Sequence, residues 1–287
     1  MLFRRRKRRD IEESGIPVER EPAGSWSTMR FFVTLILLAW AIRSFVVAPF
    51  SIPSGSMLPT LYIGDYLLVS KWPYGYSKYS FPMDTPAFKG RIFAHPAQRG
   101  DVVVFRHPDG KIDLIKRIIG ISGDTIEVRG GAVILNGKPL QRTSIAPAKV
   151  PVSANSPCKT VPPLVPNVVT QGGQPYCLYP AYRETLPNGP SYVTLDQLDN
   201  GEADNFGPAV VPAGAVFLMG DNRDDSLDSR FETYSGGIGM VPVDHLIGRA
   251  MVNFWSTDGS ASYVNPLSWL SALRRDRIGN GFSSDPQ

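Results

Sequence analysis

Residues 101–137 read DVVVFRHPDGKIDLIKRIIGISGDTIEVRGGAVILNG, and this stretch decides the fold class. Residues 101–105 form a short apolar run rich in valine, and Pro108-Asp109-Gly110 is a turn. Residues 112–121 are a second run, apolar except where Asp113, Lys116 and Arg117 interrupt it. Then come 124–128, Gly130-Gly131, 132–135 and Asn136-Gly137, a strand and turn alternation. Glycine and Asn-Gly supply the positive φ that tight hairpins require. Hairpins this closely spaced, with little helical periodicity, predict a mainly β domain. Runs at 66–69, 215–219 and 250–255 extend the same pattern in both directions.

Lys116 is the unusual residue in the central run. A lysine inside an apolar strand loses its proton easily, because desolvation disfavours the charged form. A neutral amine can take the proton of a serine hydroxyl. A candidate serine lies upstream in Pro53-Ser54-Gly55-Ser56-Met57-Leu58-Pro59-Thr60. Gly55 permits a tight turn that brings the Ser56 oxygen and a backbone N–H towards one carbonyl. Asp109 and Asp113 are close to Lys116 in sequence, but strand alternation puts Asp113 on the opposite face. Two familiar serine-hydrolase patterns are missing: no Gly-x-Ser-x-Gly surrounds Ser56, and Pro59 stands where Ser-x-x-Lys would need its lysine. His95, His107 and His245 read as ordinary surface or packing residues, none with an evident triad partner.

Downstream, Gly220-Asp221-Asn222-Arg223-Asp224-Asp225-Ser226-Leu227-Asp228-Ser229-Arg230 follows an apolar run and is dense with hydrogen-bonding groups. An acidic metal-binding loop is one reading of it. The interleaved Arg223 and Arg230 favour ion pairing instead, so no metal is expected. Cys158 and Cys177 form no CxxC pair and no Cys/His cluster, which disfavours a zinc site. In an extracytoplasmic domain they can close a loop of ~20 residues, worth about 3 kcal/mol. Two free thiols are the other reading.

The chain is 287 residues long, with 43% apolar residues and a formal net charge of +4. That suits one membrane anchor and one large β domain. Much of the positive excess is at residues 4–9, Arg-Arg-Arg-Lys-Arg-Arg. Its place ahead of an apolar stretch favours a positive-inside topology signal over a nucleic-acid arm. Residues 1–27 read as a basic cytoplasmic segment and 28–48 as a membrane anchor helix, with Arg43 snorkelling to the outer interface. A cleavable signal peptide cut near Ala39-Trp40-Ala41 is the rival reading. Pro49 ends the helical pattern. The catalytic β domain is then 49–265, with a Pro-, Gly- and Asn-rich excursion of short strands over about 146–207. The tail 266–287 has a short amphipathic helix near 267–273, for the membrane surface or as a solvated end.

Several boxes then come together in order. Residues 49–61, Gly64-Asp65, Arg99-Gly100-Asp101 with 102–105, Ile115-Lys116-Arg117-Ile118-Ile119-Gly120, Gly123-Asp124 and 220–230 resemble the ordered boxes of the bacterial type I signal (leader) peptidases. The resemblance runs from the anchor to about Ala250. It implies a β-rich catalytic domain behind an N-terminal transmembrane helix, single-pass in the bacterial cytoplasmic membrane, N-terminus cytoplasmic and catalytic domain periplasmic. It implies an endopeptidase that removes signal peptides from exported preproteins after Ala-x-Ala sites. Ser56 would be the nucleophile and Lys116 the general base. The Ser56 N–H and the Ser54 hydroxyl would form the oxyanion hole, and Ser226 would hydrogen-bond the lysine. Asp228 and Arg230 would hold the site's shape by an ion pair. Phe50, Ile52, Met57, Leu61, Leu114 and Ile115 would line shallow pockets for small side chains. No cofactor is implied; the partners are preprotein signal peptides and membrane lipids, without nucleic acid, and the chain would be a monomer. Two rival classes remain at this point: a self-cleaving repressor-like protease with a Ser/Lys dyad, and a non-catalytic anchored β domain of the envelope.

Overall fold

The computed structural model describes residues 25–187, 189–199, 201–262 and 264–282. The basic run 4–9 and most of the segment 1–27 fall outside these residues.

Helix α1 spans Ser25–Ala41 and runs on through one wider turn, Ile42–Val46. The stretch Trp26–Val46 is the one described helix long and apolar enough to cross a membrane. Its 21 residues span about 31 Å at the α-helical rise, the thickness of a bilayer's hydrocarbon core. It is apolar all round: Phe31, Ile36, Leu37 and Leu38 are each more than half exposed. The helix ends at Val46, two residues short of the expected boundary, because Val47 is already extended and begins a strand. By contacts the chain divides into Met1–Ala39 and Trp40–Gln287.

The second unit is mainly β, as the hairpin pattern predicts. Its largest sheet has seven antiparallel strands: β1 (Val47–Ser51), β2 (Asp65–Ser70), β3 (Val102–Arg106), β4 (Asp113–Ile121), β13 (Ala215–Met219), β14 (Val241–Pro242) and β15 (Leu246–Ser256). Their spatial order is β1-β2-β15-β3-β4-β13-β14. A second sheet joins β5 (Thr125–Arg129), β6 (Ala132–Leu135), β7 (Lys138–Pro139) and β12 (Phe206–Val210). The third is built on β10 (Gln174–Thr185), with β8 (Gln141–Pro151), β9 (Val168–Gln171) and β11 (Ser191–Leu195).

The unbroken apolar run of β3 has a physical reason. Val102 and Val104 face a core with Ile52, Met57, Leu61 and Ile115, while Val103 and Phe105 face another with Ile118, Val216 and Leu218. A strand buried on both faces has no place for alternating polar residues. On β4 the same alternation sends Ile115 to the first core and Ile118 to the second. Lys116, opposite Val103 in the ladder, shares a face with Ile118 and is carried into the interior.

The excursion differs from its expectation. It is built on two of the longest strands, β10 wholly within it and β8 leading into it from Gln141, which pair over most of their length. Its prolines suggest loop, yet Pro180 falls where the β8–β10 register shifts, a bulge that needs no donor at that position. Cys158 and Cys177 are joined by a disulfide, with Cα atoms 5.3 Å apart. The described end of the tail is not solvated but docked, while Leu267, Trp269 and Leu270 of its short helix stay exposed. Past the short helix α2 (Leu267–Ser271), Arg277 donates to the buried Asp65 carboxylate at 2.5 Å and stacks on Tyr62, while Phe282 enters the first core.

Candidate active site

Ser56 lies in the turn between β1 and β2, and Lys116 lies mid-way along β4. Lys116 Nζ donates to Ser56 Oγ at 2.5 Å, and the two residues are 4% and 8% exposed. Burial pushes the Lys116 ammonium down to about 8, against the opposing pull of the Asp228 and Asp221 carboxylates. Neither Asp109 nor Asp113 makes an ion pair with it. Asp113 instead pairs with Arg106 at 2.6 Å.

The loop 220–230 holds the pair from one side. Arg230 grips Asp228 with Nε and a terminal nitrogen, both at 2.9 Å. Asp228 also accepts from the Gly220 N–H at 3.0 Å and from the Ser226 hydroxyl at 2.8 Å. Burial works against the charge, but Arg230 and these donors keep the Asp228 carboxyl below its ordinary range. Ser226 thus turns to Asp228, and no hydrogen bond joins it to Lys116. The loop reaches the serine through its backbone: the Asn222 N–H donates to the Ser56 carbonyl at 3.0 Å, and the Asn222 amide donates to the Gly55 carbonyl at 3.1 Å.

A second link was not visible in the sequence. Arg117, next to the lysine, donates to both oxygens of Asp221 at 2.8 and 2.6 Å. The Thr60 hydroxyl donates to the same carboxylate at 2.5 Å. Asp221 therefore ties the serine turn, the lysine strand and the 220–230 loop into one unit. Arg223 makes a buried two-pronged pair with Glu184 of β10, so the excursion braces the loop from outside. Asp196, Asp204 and Asp224 approach within 4.8 Å of one another at its far end. Arg142 pairs with Asp196, and Asp224 accepts the N–H groups of Gln197 and Leu198. Burial raises the Asp196 carboxyl to about 6, with Arg142 opposing and its two acidic neighbours adding to the rise.

The walls of the cleft correct part of the expected list. Phe50, Ile52, Leu114 and Ile115 line a cavity of about 50 Å³ beside Ser54, Ser56 and Lys116. A wider cleft of about 520 Å³ also reaches Ser54, Ser56 and Lys116, and runs on to Leu198, Ala203 and Phe231. Met57 and Leu61 line neither. Both are fully buried in the first core, because the turn directs them inward beneath the serine.

The family model for the signal peptidases, peptidase S26, matches residues 25–255. The chain belongs to the signal peptidase family. It is 34% identical over 265 residues to the signal peptidase I of Rickettsia typhi, covering 86% of this chain and 90% of that one. The signal peptidase I of Rickettsia felis is 33% identical over 279 residues, covering 91% and 93%. A crystal structure of a signal peptidase I from Enterococcus faecalis is 24% identical and covers 54% of this chain and 97% of its own, at a TM-score of 0.28. As a signal peptidase the protein is a hydrolase, a serine-type peptidase that removes signal peptides.

One glycine of this signal peptidase's site is dictated by space. A Cβ at Gly220 would stand 2.3 Å from Ser226 Oγ and 2.6 Å from the Ser56 carbonyl oxygen. Gly55, which the sequence reading favoured, is not at positive φ, and a Cβ there would meet only the Leu58 and Asp225 side chains, at 3.1 Å and beyond. Gly220→Ala is expected to cost about 1–3 kcal/mol by overpacking and to lower turnover more than substrate affinity. Gly55→Ala should be the milder change. Steady-state kinetics and urea melts of the two variants check this order.

Proposed function

We propose that this chain is a membrane-anchored endopeptidase in which Ser56 is the nucleophile and Lys116 the general base. The observation that carries the reading is the 2.5 Å contact between a serine hydroxyl and a buried lysine whose proton is weakly held. With the amine neutral, the same contact runs from the Ser56 O–H to the lysine lone pair. Ser56 Oγ then bonds to the scissile carbonyl carbon as Lys116 takes its proton. The C–N bond breaks as the lysine returns that proton to the leaving amine. Water then bonds to the acyl carbon as its proton passes to the same lysine; the bond from that carbon to Ser56 Oγ breaks as the lysine hands the proton back to Oγ, which frees the acid and restores the pair. The Ser56 N–H makes no hydrogen bond among the described residues and faces no competitor for the developing oxyanion. Ser54, which lines both cavities, supplies the second donor.

Substrate selection follows from the smaller cavity. At about 50 Å³, against about 520 Å³ for the wider cleft, and walled by Phe50, Ile52, Leu114 and Ile115, it favours small apolar side chains. The outer edge of β1 and the 113–116 half of β4 lie along this cleft without a strand partner on that side among the described residues. An extended peptide can add there as a strand, which points alternate side chains to the same wall. This supports cleavage after small-x-small, Ala-x-Ala, sequences. Exposed apolar α1 supports a single span with the β domain on the outer face, in the cytoplasmic membrane. The test is a peptide spanning an Ala-x-Ala junction, offered to the full chain in detergent with lipid. Wild type should cut after the second alanine, and Ser56→Ala should not. Cleavage by both would place the nucleophile elsewhere.

A further inference from the structure

A second cavity, of about 120 Å³, lies on the other side of Phe50 from the catalytic pair. Three cations line it: Arg43, Lys71 and Arg106. Arg106 is matched, by Asp113 at 2.6 Å and by Asp84 at 3.0 Å. Lys71 is not. It is 4% exposed, and its ammonium has no hydrogen bond or carboxylate partner among the described residues. The Phe50 ring lies 5.8 Å from the ammonium. Arg43 likewise has no ion pair among the described residues. Three cations and two carboxylates leave this pocket with a net positive charge; Lys71 feels the Asp113 carboxylate, which is already paired with Arg106, and has no ion pair of its own among the described residues. A buried charge without a partner costs several kcal/mol, so such a group is kept where something completes it. Burial first, and then Arg43, push Lys71 down to about 8, with Asp113 opposing.

We infer that this cavity binds the phosphate of an anionic phospholipid headgroup, held between Lys71 and Arg43. A phosphodiester offers two charged oxygens, one for the compact ammonium and one for the guanidinium fork. The lipid source rests on reading Trp26–Val46 as a membrane span. Arg43 is three residues from the end of that stretch, at headgroup depth. The mouth of the cavity is apolar in the way an interface requires. Met83 on its rim is 91% exposed, and Phe81 in its wall packs on Trp40 and Phe45, both about two-fifths exposed. Phe50 and Asp113 line both this cavity and the peptide cleft, so a bound headgroup rests against the back of the substrate wall.

The experiment uses the full chain in a neutral maltoside detergent. Dihexanoyl-phosphatidylglycerol, below its micelle concentration, is titrated by calorimetry, with dihexanoyl-phosphatidylcholine and inorganic phosphate as separate arms. Phosphatidylglycerol should bind saturably and at least tenfold more tightly than either comparison. Lys71→Met should weaken it at least tenfold, Arg43→Gln several-fold, and Lys71→Arg little. Without lipid, Lys71→Met should melt higher than wild type, because it removes an unpaired buried charge; a lysine with a merely structural role would melt lower when replaced. Unchanged phosphatidylglycerol binding in both Lys71→Met and Arg43→Gln overturns the site. Inorganic phosphate binding as tightly as the lipid overturns the lipid source, and equal binding of phosphatidylcholine overturns the preference for an anionic headgroup. Alkaline extraction of cell membranes tests the span separately: release of the chain would remove the membrane reading whatever the titration gives.

Discussion

Lys116→Met should abolish peptide cleavage and, at neutral pH, make the fold more stable. The first effect follows from removing the base, worth a factor of about 100 to 10,000 in rate. The second follows from linkage. The lysine's folded value of about 8 lies below its ordinary 10.5. Below about pH 8 the unfolded chain carries this proton at no cost, while the native state must hold a charge in a dry site. The native state is therefore penalised there by roughly 3 kcal/mol, and the penalty fades as pH rises from about 8 to 10.5. Methionine fills similar space without a charge. It loses the hydrogen bond to Ser56, about 1 kcal/mol, and escapes the penalty. Urea melts across this pH range should show the variant's advantage at pH 7 and its disappearance by about pH 10.5. The same protonation sets the rate of the wild type, whose activity should fall about tenfold for each pH unit below about 8. A variant less stable than wild type at pH 7, or a wild-type rate flat through the acid range, would contradict a base of this kind.

The parts of this structure legible in the sequence are those written locally. Strand periodicity and Asn-Gly or Gly-Gly turns marked β3 to β6 to within a residue or two, because side-chain alternation and positive φ are properties of a few adjacent residues. Lys116 was legible for the same reason, as a polar residue in a run that has to be buried. Side-chain direction in an irregular turn is not local. Met57 and Leu61 look like cleft residues beside Ser56, and the turn instead packs them below it. Ser226 reads as a partner for the lysine, yet Asp228, two residues on, offers it a charged acceptor at 2.8 Å. The docking of Arg277 is hidden from the sequence, because nothing near it there reveals Asp65, more than 200 positions away. Pairings between distant segments, Arg223 with Glu184 and Arg117 with Asp221, leave no mark in either segment read alone.

The second of these pairings carries the other large effect. Asp221→Ala should lower stability by about 3–5 kcal/mol and remove activity even in molecules that remain folded. Arg117 is 5% exposed, and Asp221 is its one carboxylate partner among the described residues. Its remaining bonds, to the Gly100 carbonyl at 2.8 Å and the Thr60 hydroxyl at 3.4 Å, do not neutralise it. Leaving such a cation unpaired in the interior accounts for the loss of stability. The loss of activity has a separate origin. Without Asp221 the Thr60 hydroxyl has no strong acceptor, and the turn that carries Ser56 is no longer fixed to the strand that carries Lys116. An attacking oxygen displaced by about 1 Å can lose about 100-fold in rate. Thr60→Val separates the two effects, since it releases the turn but keeps the Arg117–Asp221 pair. It should cost about 1 kcal/mol in a urea melt and lower kcat far more than it raises KM. If Thr60→Val turns over like wild type, the turn is held by Asn222 and the core beneath it, and Asp221 serves stability alone.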